Sequence, residues 1–487
     1  MEKVSKKSMI LYTAIVAVCF FYTGSAYMSQ MYLLLDYYSY ETVDFITSAL
    51  NYGLQALGIL LFIVGMTFFN NLFKRKNTFL ALLILGTPAM IGMLLVKNGL
   101  LMVILGSVFN LLVGFYFGYY LTMMAAFVAP HIIGICYGIS YAIASVGTYL
   151  VSLIDDGNFL TNDYISIVYV CGAIITFILV SKAEDLNTND ASLASDDQSV
   201  GSKFKFLIDK DSSIMSTLIW LIVIVFLMSA VSSLGSGLYL SLPGTSEANF
   251  TLARAFYAFG LIAAGFIMDK NRFVGSIITL ASLTYPLVAS SLLYNSGNGT
   301  FAMCLSYLFL GFIAVYRFVA YADLRVKSAL LLPVAGLGLM VSRLVDVIIM
   351  FIMTGTSFAF NVEMIISVVI YSILLILFII FITNKRVKEV YQMVAEKQES
   401  EAYADSNAQN TSQAMRDAIL GEFSQRYQLT NRESEIVASI RDGLSDSEIA
   451  EKYNISKSTV RFHISNLLKK TECNSRVEVI RKLLQNK

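Results

Sequence analysis

From Gly265 to Pro286 the chain reads GFIMDKNRFVGSIITLASLTYP: the end of an apolar run, a short loop carrying Asp269, Lys270 and Arg272, and a second apolar run that stops at proline. The same order stands earlier as GMTFFNNLFKRKNTFLALLILGTP, Gly65 to Pro88. There Lys74, Arg75 and Lys76 form the basic loop, and Asn70 and Asn71 take the place of the acid. Glycine, basic loop, apolar run and proline, occurring twice, predict a chain built from two similar halves.

Composition says which solvent those halves need. Of 487 residues, 56% are apolar and 14% charged, with a mean hydropathy of +0.67. Soluble domains carry about 25% charge, so a soluble enzyme, a disordered chain and a secreted disulfide scaffold are excluded. The cysteines (19, 136, 171, 304 and 473) are far apart and read as reduced. Runs of roughly 20 apolar residues mark membrane helices. Twelve stand at about 9–28, 43–69, 78–96, 100–121, 131–154, 164–181, 214–234, 250–268, 273–294, 300–322, 329–353 and 362–383. The first is expected to span the membrane rather than act as a cleaved leader.

Charge placement orients the runs. One set of connections holds Lys3, Lys6, Lys7, Lys74, Arg75, Lys76, Lys182, Lys203, Lys205, Lys210, Lys270, Arg272, Arg325, Lys327, Lys385, Arg386 and Lys388. The other set holds Lys97 beside Asp36, Glu41, Asp155, Asp156, Asp163 and Glu247. Positive charge gathers on the cytoplasmic side, so a multi-pass cell-membrane protein with both termini cytoplasmic is expected. A Ser/Asp/Asn-rich segment at 182–212 reads as a cytoplasmic linker between halves 1–181 and 213–383. The Gly265–Asp269–Lys270–Arg272 pattern resembles the loop motif of the major facilitator superfamily, and the resemblance covers residues 1–383. It implies two six-helix bundles around a central cavity open to one side at a time.

Ionisable groups inside membrane helices need a partner or a function. The first half has Asn51, Gln55, Asn110 and many tyrosines, whereas the second has Arg254, Arg317, Arg343 and Asp346. Arg343 and Asp346 share a helical face and read either as a self-neutralising pair or as part of a site. Arg317 has no acid within helical reach, and Tyr316 and Tyr321 flank it on the same helix. The three arginines are the candidate ligand-binding residues, for a small anionic or phenolic molecule.

After Thr383 the chain turns polar. Residues 384–400 extend the last helix, 401–412 read as a flexible coil, and Met415, Ile419, Phe423 and Tyr427 mark an amphipathic helix. From Leu429 the chain reads LTNRESEIVASIRDGLSDSEIAEKYNISKSTVRFHISNLLKKTECNSRVEVIRKLLQ. Thr430 with Glu433, and Ser445 with Glu448, form two capping boxes. Gly443 ends the first helix, Asn454–Ile455 makes a tight turn, and Ser456 caps the third. Buried stripes are expected at Ile436, Val437 and Ile440; at Ile449 and Ala450; at Val460, Ile464, Leu467 and Leu468; and at Val477, Ile480 and Leu484. Between Lys452 and Lys487 nine Lys/Arg face two Glu. Two short helices about a tight turn, the second basic, form a helix-turn-helix. Lys457, Arg461, Lys469 and Lys470 would attract phosphates.

Residues 429–485 closely resemble the LuxR-type (LuxR/FixJ) DNA-binding domain, through LTNRESEI, DGLSDSEIAEKYNISKSTVRFHISNLLKK and SRVEVI. The resemblance implies that 456–470 is the recognition helix and that Arg461, Phe462 and Ser465 face base edges. With Lys457, Ser458, Thr459 and Lys469 these are the expected DNA contacts. His463 is expected to be structural, and residues 475–484 to pair two copies as a homodimer on DNA.

The expected fold is all-α: a polytopic bundle of twelve helices, six plus six and transporter-like (1–383), a linker with an amphipathic helix (384–428), and a four-helix helix-turn-helix domain (429–487). The expected function is a membrane-bound one-component transcriptional regulator that senses a small molecule through the bundle. The alternative is a major-facilitator-type transporter with a regulatory DNA-binding tail. Against transport, helices one and four lack buried carboxylates for a proton relay. No nucleophile–base pair, metal cluster or phosphate loop is present in the sequence, so no enzyme activity, cofactor or metal is expected. The partners expected are DNA, a small-molecule ligand, the lipid bilayer and a second copy of the chain.

Overall fold

A computed structural model of the chain describes residues 6–186, 212–240, 250–285, 299–326, 329–355 and 360–485. The chain divides into two units, Met1–Phe381 and Ile382–Lys487, and all regular elements among the described residues are helical. The first unit contains α1 (Lys6–Leu34), α2 (Tyr40–Phe68), α3 (Lys76–Leu95), α4 (Gly99–Phe127), α5 (Ile133–Leu153), α6 (Ile165–Ser181), α7 (Ser212–Leu240), α8 (Phe250–Lys270), α9 (Arg272–Ser282), α10 (Gly299–Ala322) and α11 (Leu337–Gly355). It also holds the start of α12 (Phe360–Arg426).

Ten helices among the described residues are long and apolar enough to cross a membrane, and α6 and α9 are shorter apolar helices. Twelve full-length spans were expected. The expected ninth ran to 294, whereas α9 ends at Ser282 and residues from 286 lie outside the described ones. The uncharged stretch after the fourth run breaks at Val128–Ala129, where Pro130 opens a short 3-10 turn before α5. Proline suits that position because the first amides of a helix have no intrahelical partner. The eleventh span, expected at 329–353, is found at Leu331–Met353 but changes helix type along its length. Ala329–Gly336 is 3-10 helix containing Pro333, and α11 starts only at Leu337, since proline cannot donate to the α ladder. A π-helical turn at Phe45–Asn51 lies within α2, and hydropathy gives no sign of it.

Two kinds of contact set the interior of this unit. The first is close approach of backbones. A Cβ on Gly138 would lie 2.4 Å from the Leu261 carbonyl oxygen, and one on Gly265 would lie 2.4 Å from that of Gly134. Only glycine lets α5 and α8 cross so closely. The second is an amide network in the first half. Gln55 Nε2 donates to Asn110 Oδ1 (2.7 Å), Asn110 Nδ2 to Gln30 Oε1 (3.3 Å) and Asn51 Nδ2 to the same oxygen (3.1 Å). All four side chains are buried. Gln30 thus joins the three amides that stand out in the sequence of this half.

In the second unit α12 runs helically through 401–412, where a coil was expected. Between 360 and 420 the chain has neither proline nor glycine, so nothing local stops the helix. Four short helices come next: α13 (Asn431–Arg441), α14 (Asp446–Lys452), α15 (Lys457–Lys470) and α16 (Arg476–Gln485). The last turns of α12 pack on them. Phe423 joins Val437, Leu467, Val479 and Leu483 in one core, with Ile419 and Tyr427 beside it. Met415, expected on the same stripe, is exposed. A second core gathers Ile436, Ile449, Ala450, Val460 and Ile464. In α16 the buried residues are Val479 and Leu483, while the expected Val477 and Leu484 are exposed. With Ile480 packed against the core, the buried face lies one position round from the expected one.

Candidate functional site

Three arginines of the second half converge on one cavity. It holds about 570 Å³ within the first unit, and Arg254 of α8, Arg317 of α10 and Arg343 of α11 all line it. That volume suits a small molecule. Rings and hydroxyls surround the guanidinium groups: Tyr27, Tyr52, Tyr141, Tyr257 and Tyr307, with Ser229 and Ser342. Tyr316 and Tyr321, the rings expected beside Arg317, are buried and do not line the cavity. One turn beyond Arg317, Gly338 of α11 packs against the Tyr321 ring, while Tyr316 turns to Phe378. The rings that do line the cavity come mostly from other helices, a relationship that spacing along a single helix cannot reveal.

Each arginine is held differently. Arg317 Nη1 donates to Ser342 Oγ at 2.7 Å. Arg343 lies 3.8 Å from Asp346, and its guanidinium carbon is 3.7 Å from the centre of the Tyr52 ring. Arg254 donates to the Met28 thioether. Among the described residues, neither Arg254 nor Arg317 has a carboxylate within ion-pair range. Arg317 Nε and Arg343 Nε are buried donors without a hydrogen-bond partner there, and the Ser229 hydroxyl is likewise unpaired. Asp44 and Asp346 also line the cavity, yet a buried N–H without an acceptor is costly, so the Nε donors of Arg317 and Arg343 are left needing one.

Near Asp269 the two halves are tied together by hydrogen bonds and ion pairs. Asp269 accepts from Gly134 N (2.8 Å) and Ile135 N (2.6 Å), thereby capping the start of α5 from the opposite half. Arg272 pairs with Asp269 (2.7 Å) and Asp323 (3.0 Å) and donates to the Pro130 carbonyl. Arg325 donates to the Val128 carbonyl. The earlier copy of the loop does something else. Lys76 N donates to Asp185 Oδ1, and Lys76 Nζ to the carbonyls of Ser181 and Ala183, each at 2.8 Å, so it holds the end of the first half and the start of the linker rather than the second half.

In the second unit both capping boxes form, at Thr430/Glu433 and Ser445/Glu448. The backbone amide and hydroxyl of Ser445 hold the Glu448 carboxyl below its ordinary range. Asn454 turns the chain at φ +53°, and Ser456 accepts from Thr459 N at 3.1 Å to cap α15. Along α15, Lys457, Ser458, Arg461, Phe462, Ser465 and Lys469 are exposed, and Thr459 is half-buried. The Ser458 and Thr459 hydroxyls hydrogen-bond to that of Ser456. Lys470, expected among the phosphate-attracting residues, is engaged internally: its ammonium donates to Glu433 (2.7 Å) and to the Gln428 carbonyl (3.0 Å). His463 is half-buried and meets the Phe462 ring edge-on at 5.8 Å. Asp446 accepts from both Arg461 and Arg476, an arrangement that no sequence pattern announces.

The family model described as bacterial regulatory proteins, luxR family, matches residues 427–483. Those residues form a LuxR-type helix-turn-helix domain. Over 67 residues, 14% of this chain, the LuxR-type region is 42% identical to the "Uncharacterized response regulatory protein YgeK" of Escherichia coli (strain K12), covering 46% of that protein. It is also 40% identical over 67 residues to the "Monoamine regulon transcriptional regulator" of Klebsiella aerogenes, covering 30% of it. A third relative is the "Nitrate/nitrite response regulator protein NarP" of Escherichia coli (strain K12), 42% identical over 59 residues, or 12% of this chain and 27% of that one. The chain thus spans less than half the length of these curated relatives. Outside the LuxR-type domain the likeness is to solved transporters. A variant of the nucleoside transporter NupG superposes with a TM-score of 0.50 at 11% identity, covering 77% of this chain and 99% of that one. A variant of the Escherichia coli fucose:proton symporter FucP gives 0.50 at 12% identity, covering 76% and 98%. At such identities the fold alone is shared.

Proposed function

We propose that this protein is a membrane-bound one-component transcriptional regulator, in which the transporter-like bundle binds a small molecule and the LuxR-type domain binds DNA. One observation carries the reading: Arg254, Arg317 and Arg343 meet in a single cavity, two of them with a buried N–H lacking an acceptor, in a chain that also contains a LuxR-type domain. An anionic or phenolic ligand supplies acceptors to guanidinium groups and a face to the surrounding tyrosines. Ligand binding governs transcription to the extent that the two conformations of the bundle differ in affinity for it. Arg461, Phe462 and Ser465 read bases, while Lys457, Ser458, Thr459 and Lys469 hold phosphates. The exposed Val477 and Leu484 of α16 suit pairing of two copies on DNA. The distribution of basic loops favours both termini lying in the cytoplasm.

Arg317→Gln tests the reading. The variant should accumulate normally and bind DNA, yet lose the transcriptional response to inducer. An unchanged dose response at normal abundance would remove Arg317 from the site. Complete transporter folds as neighbours favour a second reading, transport with DNA binding as a regulatory addition. Inducer accumulation in cells carrying the protein, with the LuxR-type domain deleted, separates the two.

A further inference from the structure

We propose that Asp446 is a positioning residue for base reading. It holds Arg461 so that the terminal nitrogens of the guanidinium meet the DNA, and so selects guanine under that side chain. The inference rests on the reading that Arg461 faces a base edge.

Asp446 opens α14, and its carboxylate reaches side chains of two other helices. Its Oδ2 accepts from Arg461 Nε at 3.4 Å, and its Oδ1 accepts from Arg476 Nη2. The side chain of Asp446 is 20% exposed, whereas that of Arg461 is 74% exposed. One carboxylate therefore sits beneath two arginines, one from the recognition helix and one from α16. An acidic side chain on a face that approaches phosphates repels them unless cations cover it, and here two do.

Which atom of Arg461 is engaged decides what remains for DNA. With Nε–H committed to Asp446, the guanidinium offers Nη1 and Nη2 as a fork at its tip. Guanine presents two acceptors, O6 and N7, on one major-groove edge, and paired donors from arginine match them. Adenine offers one acceptor and one donor at the same places, so the fork discriminates against it. An untethered arginine would also be free to swing to a phosphate, and ordering it would then cost entropy on binding. Asp446 meets that cost before DNA arrives.

The test uses the full-length protein in lipid nanodiscs and a randomised duplex pool, sequencing the bound fraction. Wild type should enrich guanine at one position per half-site, and Arg461→Ala should abolish that enrichment. Asp446→Ala should lower it roughly tenfold, leave the other positions unchanged, and have no further effect in the Arg461→Ala background. Asp446→Asn, which retains an acceptor oxygen, should fall between. Arg476→Met, which spares the Arg461 contact, should keep the guanine preference. A general loss of binding or of preference at all positions in both Asp446 variants would show a structural role and overturn the proposal. So would an Arg476→Met variant that behaves like Asp446→Ala. Guanine enrichment dependent on Arg461 but unaffected by Asp446→Ala would overturn positioning while leaving base reading intact. Enrichment unaffected by Arg461→Ala would remove the base-reading role itself, and the proposal with it.

Discussion

The ammonium of Lys470, at the end of α15, lies 2.7 Å from the carboxylate of Glu433, whose side chain is only 5% exposed. Burial works against charge on Glu433, but Lys470 and the amide and hydroxyl of Thr430 outweigh it and hold the carboxyl below its ordinary range. A carboxyl with a depressed pKa in the folded state adds stability above its unfolded value, about 4.3, and loses that contribution as pH falls through the folded value. Lys470→Met should therefore destabilise the domain by about 1.5–3 kcal/mol near neutrality. The gap from wild type should narrow as pH falls below about 4. Hydrogen exchange of α13 amides in the full-length protein, followed from neutral to acidic pH, measures it.

Asp269 supplies the acceptor for two amides at the start of α5. Asp269→Ala leaves those amides unpaired and should loosen this contact between the halves by about tenfold or more in its opening equilibrium. Cys136, buried on α5 beside this contact, is a native reporter. Its alkylation rate, resolved by mass spectrometry from that of the exposed Cys171, should rise in the variant. An unchanged rate would mean that Asp269 does not hold this contact together.

Much of this architecture is written in simple patterns. Hydropathy locates the helices because a bilayer demands long apolar runs, and the caps at Thr430, Ser445 and Ser456 are legible because each is a local hydrogen bond. Non-local features are hidden. The tyrosines around Arg317 come from several helices, and the Asp446 contacts join residues from three. The α16 stripe is one position off expectation because Val477 and Leu484 are as apolar as Val479 and Leu483, so composition cannot choose the buried face. The coil expected at 401–412 rests on composition, while the absence of glycine and proline gives the opposite and better guide.

Gly138 tolerates no side chain where it meets the Leu261 carbonyl. Gly138→Val should cost about 1–3 kcal/mol through overpacking, seen as a lower melting temperature of the purified protein. Gly24→Ala is the control, since a Cβ there meets nothing within 4 Å. It should leave the melting temperature within error of wild type.

Lys469 is exposed at the end of α15 and, unlike Lys470, makes no buried pair among the described residues. If it neutralises a phosphate, Lys469→Ala should weaken binding to all sequences alike. It should also reduce the slope of log affinity against log salt by about one. Titrations of specific and random duplexes at several salt concentrations would show it. A loss confined to the specific duplex would make Lys469 a base reader instead.

The amides of Gln30, Asn51, Gln55 and Asn110 have a consequence for how the chain is made. Synthesis delivers them in order: α1 brings Gln30, α2 brings Asn51 and Gln55, and α4 brings Asn110 only after α3 has passed. Until then the Gln55 carboxamide faces lipid without the partner it has in the finished bundle, and hydrocarbon offers no substitute. The nascent first half should thus pass through a polar intermediate open to membrane quality control, which the arrival of Asn110 ends. A chain truncated after Leu95 should be degraded faster than one truncated after Phe127, and Asn110→Leu in the longer chain should erase the difference.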